Sequence, residues 1–389
     1  MIARTMERHI LERAKKLPVI AILGPRQSGK TTLAKKAFPK HTYISLEDLK
    51  NREFAQEDPY AFFQTYAHED GIILDEIQEV PSLLSYIQVK ADSEQKAGYF
   101  ILTGSQNFLV SEAINQTLAG RISIFTLLPL SINELKKAEL LPVTIEELVF
   151  NGQYPRLYSF NLNPTDIYPD YIRTYIERDI RSIKNITDLS LFQKFIGLCA
   201  GRIGQLLNIT SLANDAGISL ATAKSWLSLL EASYIIFLLQ PYHTNVGKRL
   251  VKTPKLYFYD SGVACSLLGI ESCTQLSQHY LRGGLVETLL ISELYKERYN
   301  KGLLPRYYFW RDKLGHEIDC LSVQANMQIP IEIKAGKTPS SDYFDGLAYW
   351  YDLHEQNPNG VVLYAGQEDQ QRSLGRLVSW RSMPKLEDI

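Results

Sequence analysis

Residues 18–31 read Pro18-Val-Ile-Ala-Ile-Leu23-Gly24-Pro-Arg-Gln-Ser-Gly29-Lys30-Thr31, and the last eight satisfy G-x-x-x-x-G-K-[ST] in full. The apolar run 18–23 reads as a buried strand and residues 30–37 as a helix. Glycines 24 and 29 let the intervening backbone curl so that several N–H groups point at one anion. The helix that follows turns its positive end toward the same anion. Strand, glycine loop and helix in this order make a phosphate loop, with Gly24, Pro25, Arg26, Gln27, Ser28, Gly29, Lys30, Thr31 and Thr32 as nucleotide contacts. Lys30 is expected to reach the β- and γ-phosphates and the Thr31 hydroxyl to ligate Mg²⁺, so the implied ligands are ATP and Mg²⁺.

Working outward, short apolar strands recur at 43–46, 71–74, 99–102 and 122–128, with helical sequence between them. Alternation of this kind predicts a parallel sheet covered on both faces and ending near residue 130. The run Ile72-Ile-Leu-Asp75-Glu76 ends an apolar strand on two acids. Asp75 suits the Mg²⁺ shell and Glu76 the general base that positions attacking water. Tyr99-Phe-Ile-Leu-Thr-Gly-Ser-Gln106 ends another strand on polar residues. There Ser105, with Thr103 and Gln106 as alternatives, could hold the water or sense the γ-phosphate; a plain Thr-Gly-Ser turn is the bland reading. Arg121 precedes the last strand, where a cation could stabilise the transferring phosphoryl group, including that of a neighbouring subunit, or sit as an ordinary surface arginine.

The chain has 389 residues, more than one ordinary core holds, so two or three domains are expected. Hydrophobic content of 45% and charged content of 22% describe a globular chain rather than a disordered one. A net charge of -1 gives nucleic-acid binding no overall support, so any such surface must be local. The four cysteines, Cys199, Cys265, Cys273 and Cys320, show no zinc spacing and suit reduced thiols in the cytoplasm. Neither a secretory leader nor an apolar run long enough for a membrane span is read. The segments expected are 1–130, a helical connection at 131–185, and further domains at 186–275 and 276–389.

Residues 209–231 have the layout of a helix-turn-helix. Thr210 or Ser211 could cap the first helix, Gly217 take the left-handed turn, and Ser219 cap the second, whose Ala223, Trp226 or Leu227, and Leu230 face inward. A hairpin of 234–240 with 256–259 would be the wing of a winged helix. The second helix offers only Lys224 as a cation, whereas Lys248, Arg249, Lys252 and Lys255 cluster in the wing. Such a wing could touch phosphates without reading bases, or be a solvated loop on a protein-contact module.

Strands at 307–310, 317–323 and 329–334, a helix at 342–354 and a strand at 360–365 form a last α/β segment. Glu332 and Lys334 are two apart and share a face of one strand, with Asp319 on the neighbouring strand and Glu287 on a helix at 285–294. Three carboxylates and a lysine can bind Mg²⁺ and activate water for phosphodiester attack. The layout resembles the D-x(n)-E-x-K site of the restriction-endonuclease-like superfamily, although Asp319 follows Ile318 where a strict motif has proline. That fold is also used for binding alone.

Leu23–Thr32, Leu74-Asp-Glu-Ile-Gln78, Leu102-Thr-Gly-Ser105, Leu118-Ala-Gly-Arg121 and Pro129-Leu-Ser131 resemble a family of bacterial and archaeal AAA-type P-loop ATPases with a C-terminal domain of unknown function. The later matching segments are 175–180, Lys255-Leu-Tyr-Phe-Tyr-Asp-Ser-Gly262, Trp310-Arg311, Glu317-Ile-Asp319 and Glu332-Ile-Lys334. The resemblance implies an α/β chain: an AAA-type parallel sheet, then a helical and winged-helix region, then a restriction-endonuclease-like domain. Two functions fit. One is an ATP-hydrolysing protein that acts on nucleic acid through the winged helix and the nuclease-like end. The other is an ATP-dependent switch or scaffold that binds a protein partner. DNA and a second copy of the chain are the candidate partners; no membrane is implied, and the expected location is cytoplasmic.

Overall fold

The structure is a computed structural model describing residues 2–94, 96–105, 117–176, 188–242, 253–324 and 327–385. Gln106, most of the charged segment 175–180, and Lys248, Arg249 and Lys252 lie outside the described residues. Two compact units emerge: residues 1–130 with Ala232–Tyr234 and Arg298–Leu304, and Ser131–Glu231 with Ile235–Glu297 and Pro305–Ile389.

In the first unit, β1 (Val19–Leu23), β2 (Thr42–Ser45), β3 (Ile72–Asp75), β4 (Phe100–Gly104) and β5 (Ile122–Thr126) form a sheet in the order β2-β3-β4-β1-β5. Every pairing in it is parallel. Strand alternation divides the core between the two faces. Val19, Ala21 and Leu23 pack with Leu74, Leu102, Phe62 and Leu83 on one side. Ile20 and Ile22 pack with Ile73, Ile101, Phe125 and Leu33 on the other. A run such as Val-Ile-Ala-Ile-Leu, buried at every position, is what a strand covered on both faces requires. Because all strands run the same way, their C-terminal ends share one edge of the sheet. β4 lies between β1 and β3, so its polar end falls between the phosphate loop and the acids.

The second unit begins with two short helices, Ile132–Lys137 and Ile145–Asn151, each started by a capping box, Ser131 with Glu134 and Thr144 with Glu147. The helix pair Ile209–Ala216 and Leu220–Ala232 follows. Gly217 takes the left-handed turn at φ 77°, and the Ser219 hydroxyl accepts from Thr222 N at 3.0 Å, as expected. The first cap is Asn208 rather than Thr210 or Ser211, its side chain accepting from Ser211 N at 3.0 Å; asparagine just ahead of the helix reaches its third amide, whereas Thr210 and Ser211 already lie inside the first turn. β6 (Ile236–Leu239) and β7 (Lys255–Phe258) form the antiparallel hairpin.

A six-stranded mixed sheet closes the unit: β8 (Tyr307–Arg311), β9 (Glu317–Gln324), β10 (Met327–Lys334), β11 (Val361–Tyr364), β12 (Gln370–Arg372) and β13 (Gly375–Ser379), in the order β12-β13-β11-β10-β9-β8. The helix Asp345–His354 lays Leu347, Trp350 and Tyr351 against Ile318, Leu321, Val362 and Leu377. β12 and β13 were not anticipated, since Gln-Gln-Arg carries no strand pattern.

The segments of this unit are tied by buried charge. Lys296 and Glu293, both 1% exposed, pair at 2.9 Å. Glu293 accepts from Ile132 N at 2.7 Å and from the Gln153 amide at 2.6 Å. Gln153 N in turn donates to Asp260 at 2.7 Å, and Asp260 caps the helix Ser261–Leu267. Breaking such a fully desolvated pair costs about 3–5 kcal/mol, because the remaining charge is left uncompensated.

Candidate functional site

At the end of β1 the backbone turns sharply. Gly24 has φ +153°, and a Cβ there would lie 2.2 Å from the Leu127 carbonyl oxygen. Gly29 stands at φ 94° as the N-cap of the helix Lys30–Ala37. Only glycine meets the first requirement, and the second is one that L side chains rarely satisfy. Arg4 braces the loop from outside it, donating to Ser28 O and to Leu128 O, both at 2.6 Å. Nothing in the loop motif pointed to this arginine. Lys30 is buried, and its Nζ donates to Gly24 O at 3.0 Å and Pro25 O at 2.9 Å. The Ser28 hydroxyl is buried without a hydrogen-bond partner.

Asp75 ends β3 and collects hydroxyls from three elements. Its Oδ1 accepts from Thr31 at 2.8 Å and from Thr103, and its Oδ2 accepts from Tyr43 at 2.8 Å. Burial, reinforced by Asp75, pushes the Tyr43 hydroxyl well above its usual range, so it remains a donor. Glu76 stands in the left-handed region at φ 57°. Its Oε2 accepts from Gln78 Nε2 at 2.5 Å and from Ser105 N at 3.2 Å. Burial opposes ionisation of Glu76, but Lys30, the Gln78 amide, Arg26 and the Ser105 N–H together draw it below the usual carboxylate range. Lys30, Thr31, Asp75, Glu76 and Ser105 are thus gathered at one sheet edge. Ser105 acts on Glu76 through its backbone, while its hydroxyl accepts from Gln78 at 3.1 Å. Tyr43 and Gln78 were missed by sequence reasoning, since neither stands in a phosphate-loop motif.

Arg121 is not brought to this edge. Its carbonyl accepts from Val19 N, at the opposite end of β1 from the loop, and four strand steps of about 3.3 Å put roughly 13 Å between the two ends. Its guanidinium is instead paired with both oxygens of Asp92, one of them at 3.0 Å. In this arrangement the guanidinium does not join the residues gathered at the loop edge.

In the second unit the structure does bring together Glu287, Asp319, Glu332 and Lys334. Lys334 Nζ lies 2.6 Å from Glu332 Oε2. Asp319 Oδ2 accepts from Ile333 N at 2.8 Å. Burial, with the neighbouring Asp319 charge adding to it and Lys334 opposing it, pushes the Glu332 carboxyl up to about 8. Glu287, from the helix Arg282–Asn300, is pushed up to about 7 by burial, with Lys255 opposing and Asp319 assisting. Lys255, expected in an exposed basic wing, is instead buried: it lies 2.5 Å from Glu317 Oε1 and 3.4 Å from Glu287 Oε1. Its position at the start of β7, beside the sheet, leaves it no solvent-facing role. Among the described residues, no group of three or more His, Cys, Asp or Glu side chains is arranged to hold a metal ion. No helix among them is long and apolar enough to cross a membrane.

Residues 16–136 match the family model of an AAA domain. Residues 143–274 and 282–383 match two domains of unknown function, DUF8612 and DUF4143. The first unit therefore matches an AAA domain over most of its length, and its parallel sheet with a phosphate loop is that of P-loop ATPases, a likeness that supports ATP binding. An uncharacterized protein of Mycobacterium tuberculosis is 27% identical over 340 residues, spanning 86% of this chain and 73% of its own. An uncharacterized protein of Methanocaldococcus jannaschii is 25% identical over 347 residues, spanning 79% of this chain and 73% of its own. Among solved structures, a Walker-type ATPase of Pyrococcus abyssi is 16% identical with a TM-score of 0.43, covering 69% of this chain and 96% of that one.

Proposed function

We propose that the chain hydrolyses ATP at the C-terminal edge of the parallel sheet, with residues 24–32 as the phosphate cradle. The observation that carries this reading is the convergence of Lys30, Thr31, Asp75 and Glu76 from two separate strand ends. The orphaned Ser28 hydroxyl, the side-chain-free approach at Gly24 and the Thr31–Asp75 contact fit a nucleotide with a divalent ion. Thr31 and Asp75 would hold Mg²⁺, which when bound offsets phosphate charge. Lys30 exchanges the loop carbonyls for phosphate oxygens. Glu76, ionised at neutral pH, orients and deprotonates the attacking water. Ser105 and Gln78 hold that carboxylate in place. Arg121 acts in trans, on the nucleotide of a second copy, once it leaves Asp92. Specific ATPase activity is then expected to rise with protein concentration in the parent chain and to stay flat in Arg121→Ala; a flat parent profile rejects the trans role.

The output of the ATPase is proposed to be action on nucleic acid through the helix pair at 209–232, the hairpin and the C-terminal sheet. The helix-turn-helix geometry around Gly217 supports it. A second reading, an ATP-dependent switch or scaffold for a protein partner, is favoured by the acid cluster, in which no metal-holding arrangement occurs among the described residues. The deciding experiment measures ATPase rate against DNA, RNA and no nucleic acid, with strand cleavage followed in parallel. Stimulation without cleavage gives a nucleic-acid-dependent motor or clamp. Neither stimulation nor binding at low salt removes nucleic acid from the account and leaves the switch.

A further inference from the structure

Lys255 arrives at the acid cluster from outside the strand motif. It begins β7, in the hairpin, and its side chain is 5% exposed. Its ammonium lies between Glu287 of the long helix and Glu317 of β9, at 3.4 and 2.5 Å, and Asp319 is a further charged neighbour. Tyr257, two residues on, donates to the same Glu287 oxygen at 2.5 Å. Beyond them Glu332 is 4% exposed, and its Oε1 has no hydrogen-bond partner.

A cluster of buried carboxylates needs positive charge to fold. In a metal-dependent centre a divalent ion supplies it. Here two ammonium groups supply it instead, Lys334 beside Glu332 and Lys255 beside Glu287 and Glu317. A divalent ion ligated by Glu287 and Asp319 would stand against the Lys255 ammonium and be repelled. Although these acids are neighbours, no three of them are arranged to hold a metal ion among the described residues.

We propose that Lys255 is the resident cation of this cluster and excludes a divalent ion from Glu287, Asp319 and Glu332 while the hairpin is docked. The ammonium and the metal compete for the same carboxylates, so the hairpin that joins the helix pair to the sheet also keeps the cluster metal-free. This supplies a physical reason for the non-cleaving reading above without depending on it, because metal binding and thermal stability are measured with no substrate present.

The test uses the full chain without nucleotide, carrying Asp75→Asn in every variant to remove the other candidate metal position. Mn²⁺ uptake is followed by the loss of the free-ion electron paramagnetic resonance signal, and melting temperature is recorded with and without Mn²⁺. Lys255→Gln is expected to take up Mn²⁺ at least about tenfold more tightly than the parent. Its melting temperature should fall in metal-free buffer and recover with Mn²⁺, while that of the parent does not respond. Lys255→Arg, which keeps a cation, should behave as the parent, and adding Glu287→Gln to Lys255→Gln should erase the gain. Should Lys255→Gln fail to fold, Lys255→Met removes the same ammonium with an apolar side chain suited to a buried position and should gain uptake in the same direction. The proposal is overturned by a parent chain that binds Mn²⁺ at this cluster as tightly as Lys255→Gln. It is equally overturned if neither Lys255→Gln nor Lys255→Met gains uptake or metal-dependent stability.

Discussion

The phosphate loop and the acid cluster of the C-terminal sheet both gather charge at the end of a strand, but they are built in opposite ways. The loop is one contiguous run whose chemistry resides mostly in the backbone, with glycine where a side chain would strike Leu127. Its lysine is held by its own carbonyls at 2.9 and 3.0 Å, interactions that phosphate oxygens can replace. The cluster draws Glu287, Lys255, Asp319 and Glu332 from a helix, a hairpin and two sheet strands. Its lysines are held by carboxylates, so the charges already compensate one another. One site is poised to receive a charged ligand, whereas the other has filled itself.

That contrast is open to direct attack, and the largest effect is expected at the loop. Lys30→Ala should lower ATP turnover by about 100- to 1,000-fold in a phosphate-release assay, since a charged group aimed at the transferring phosphate is lost. Near-parental turnover would mean that the loop does not serve as proposed. Glu76→Gln should slow hydrolysis about 100-fold while retaining nucleotide, measured with a fluorescent ATP analogue. Loss of nucleotide affinity instead would assign Glu76 to structure.

At the cluster the readout is stability. Glu287→Ala leaves Lys255 and Tyr257 facing an emptied position and should cost about 3 kcal/mol by urea denaturation. A neutral result would indicate that the pairs are solvated rather than interlocked. The smallest effect is expected for Tyr43→Phe, which removes one donor to Asp75 and should lower kcat by about tenfold, roughly 1.5 kcal/mol, at little cost to folding. An unaltered kcat would show that Thr31 and Thr103 alone orient that carboxylate.

Much of the first unit was legible because its signals are local. Val19–Leu23 is buried along its whole length and says so in composition, and β3 and β4 carry similar apolar runs. Asp75 and Glu76 could be read from their place after such a run. Tyr43 could not, because its role depends on β2 pairing with β3, so that Ser45 stands beside Asp75. Ser105 meets Glu76, and Gln78 reaches the Ser105 hydroxyl, only because β4 lies next to β3. In the second unit, Glu332 and Lys334 were readable from a two-residue period and do touch. Lys255 was misplaced in a basic wing because a run of lysines looks solvated until the partner of one of them is known.

What the sequence by itself determined is therefore the candidate nucleotide cradle, since in residues 24–31 glycine, lysine and threonine at that spacing act through adjacent backbone. What only the tertiary structure decided is which charges meet across the chain. Strand order carried Arg121 to the far end of β1 and away from its own loop, and hairpin docking carried Lys255 into the acids. Electrostatic partnership falls off over a few ångströms, and side chains tens of residues apart come that close only after the sheet and its crossings have formed.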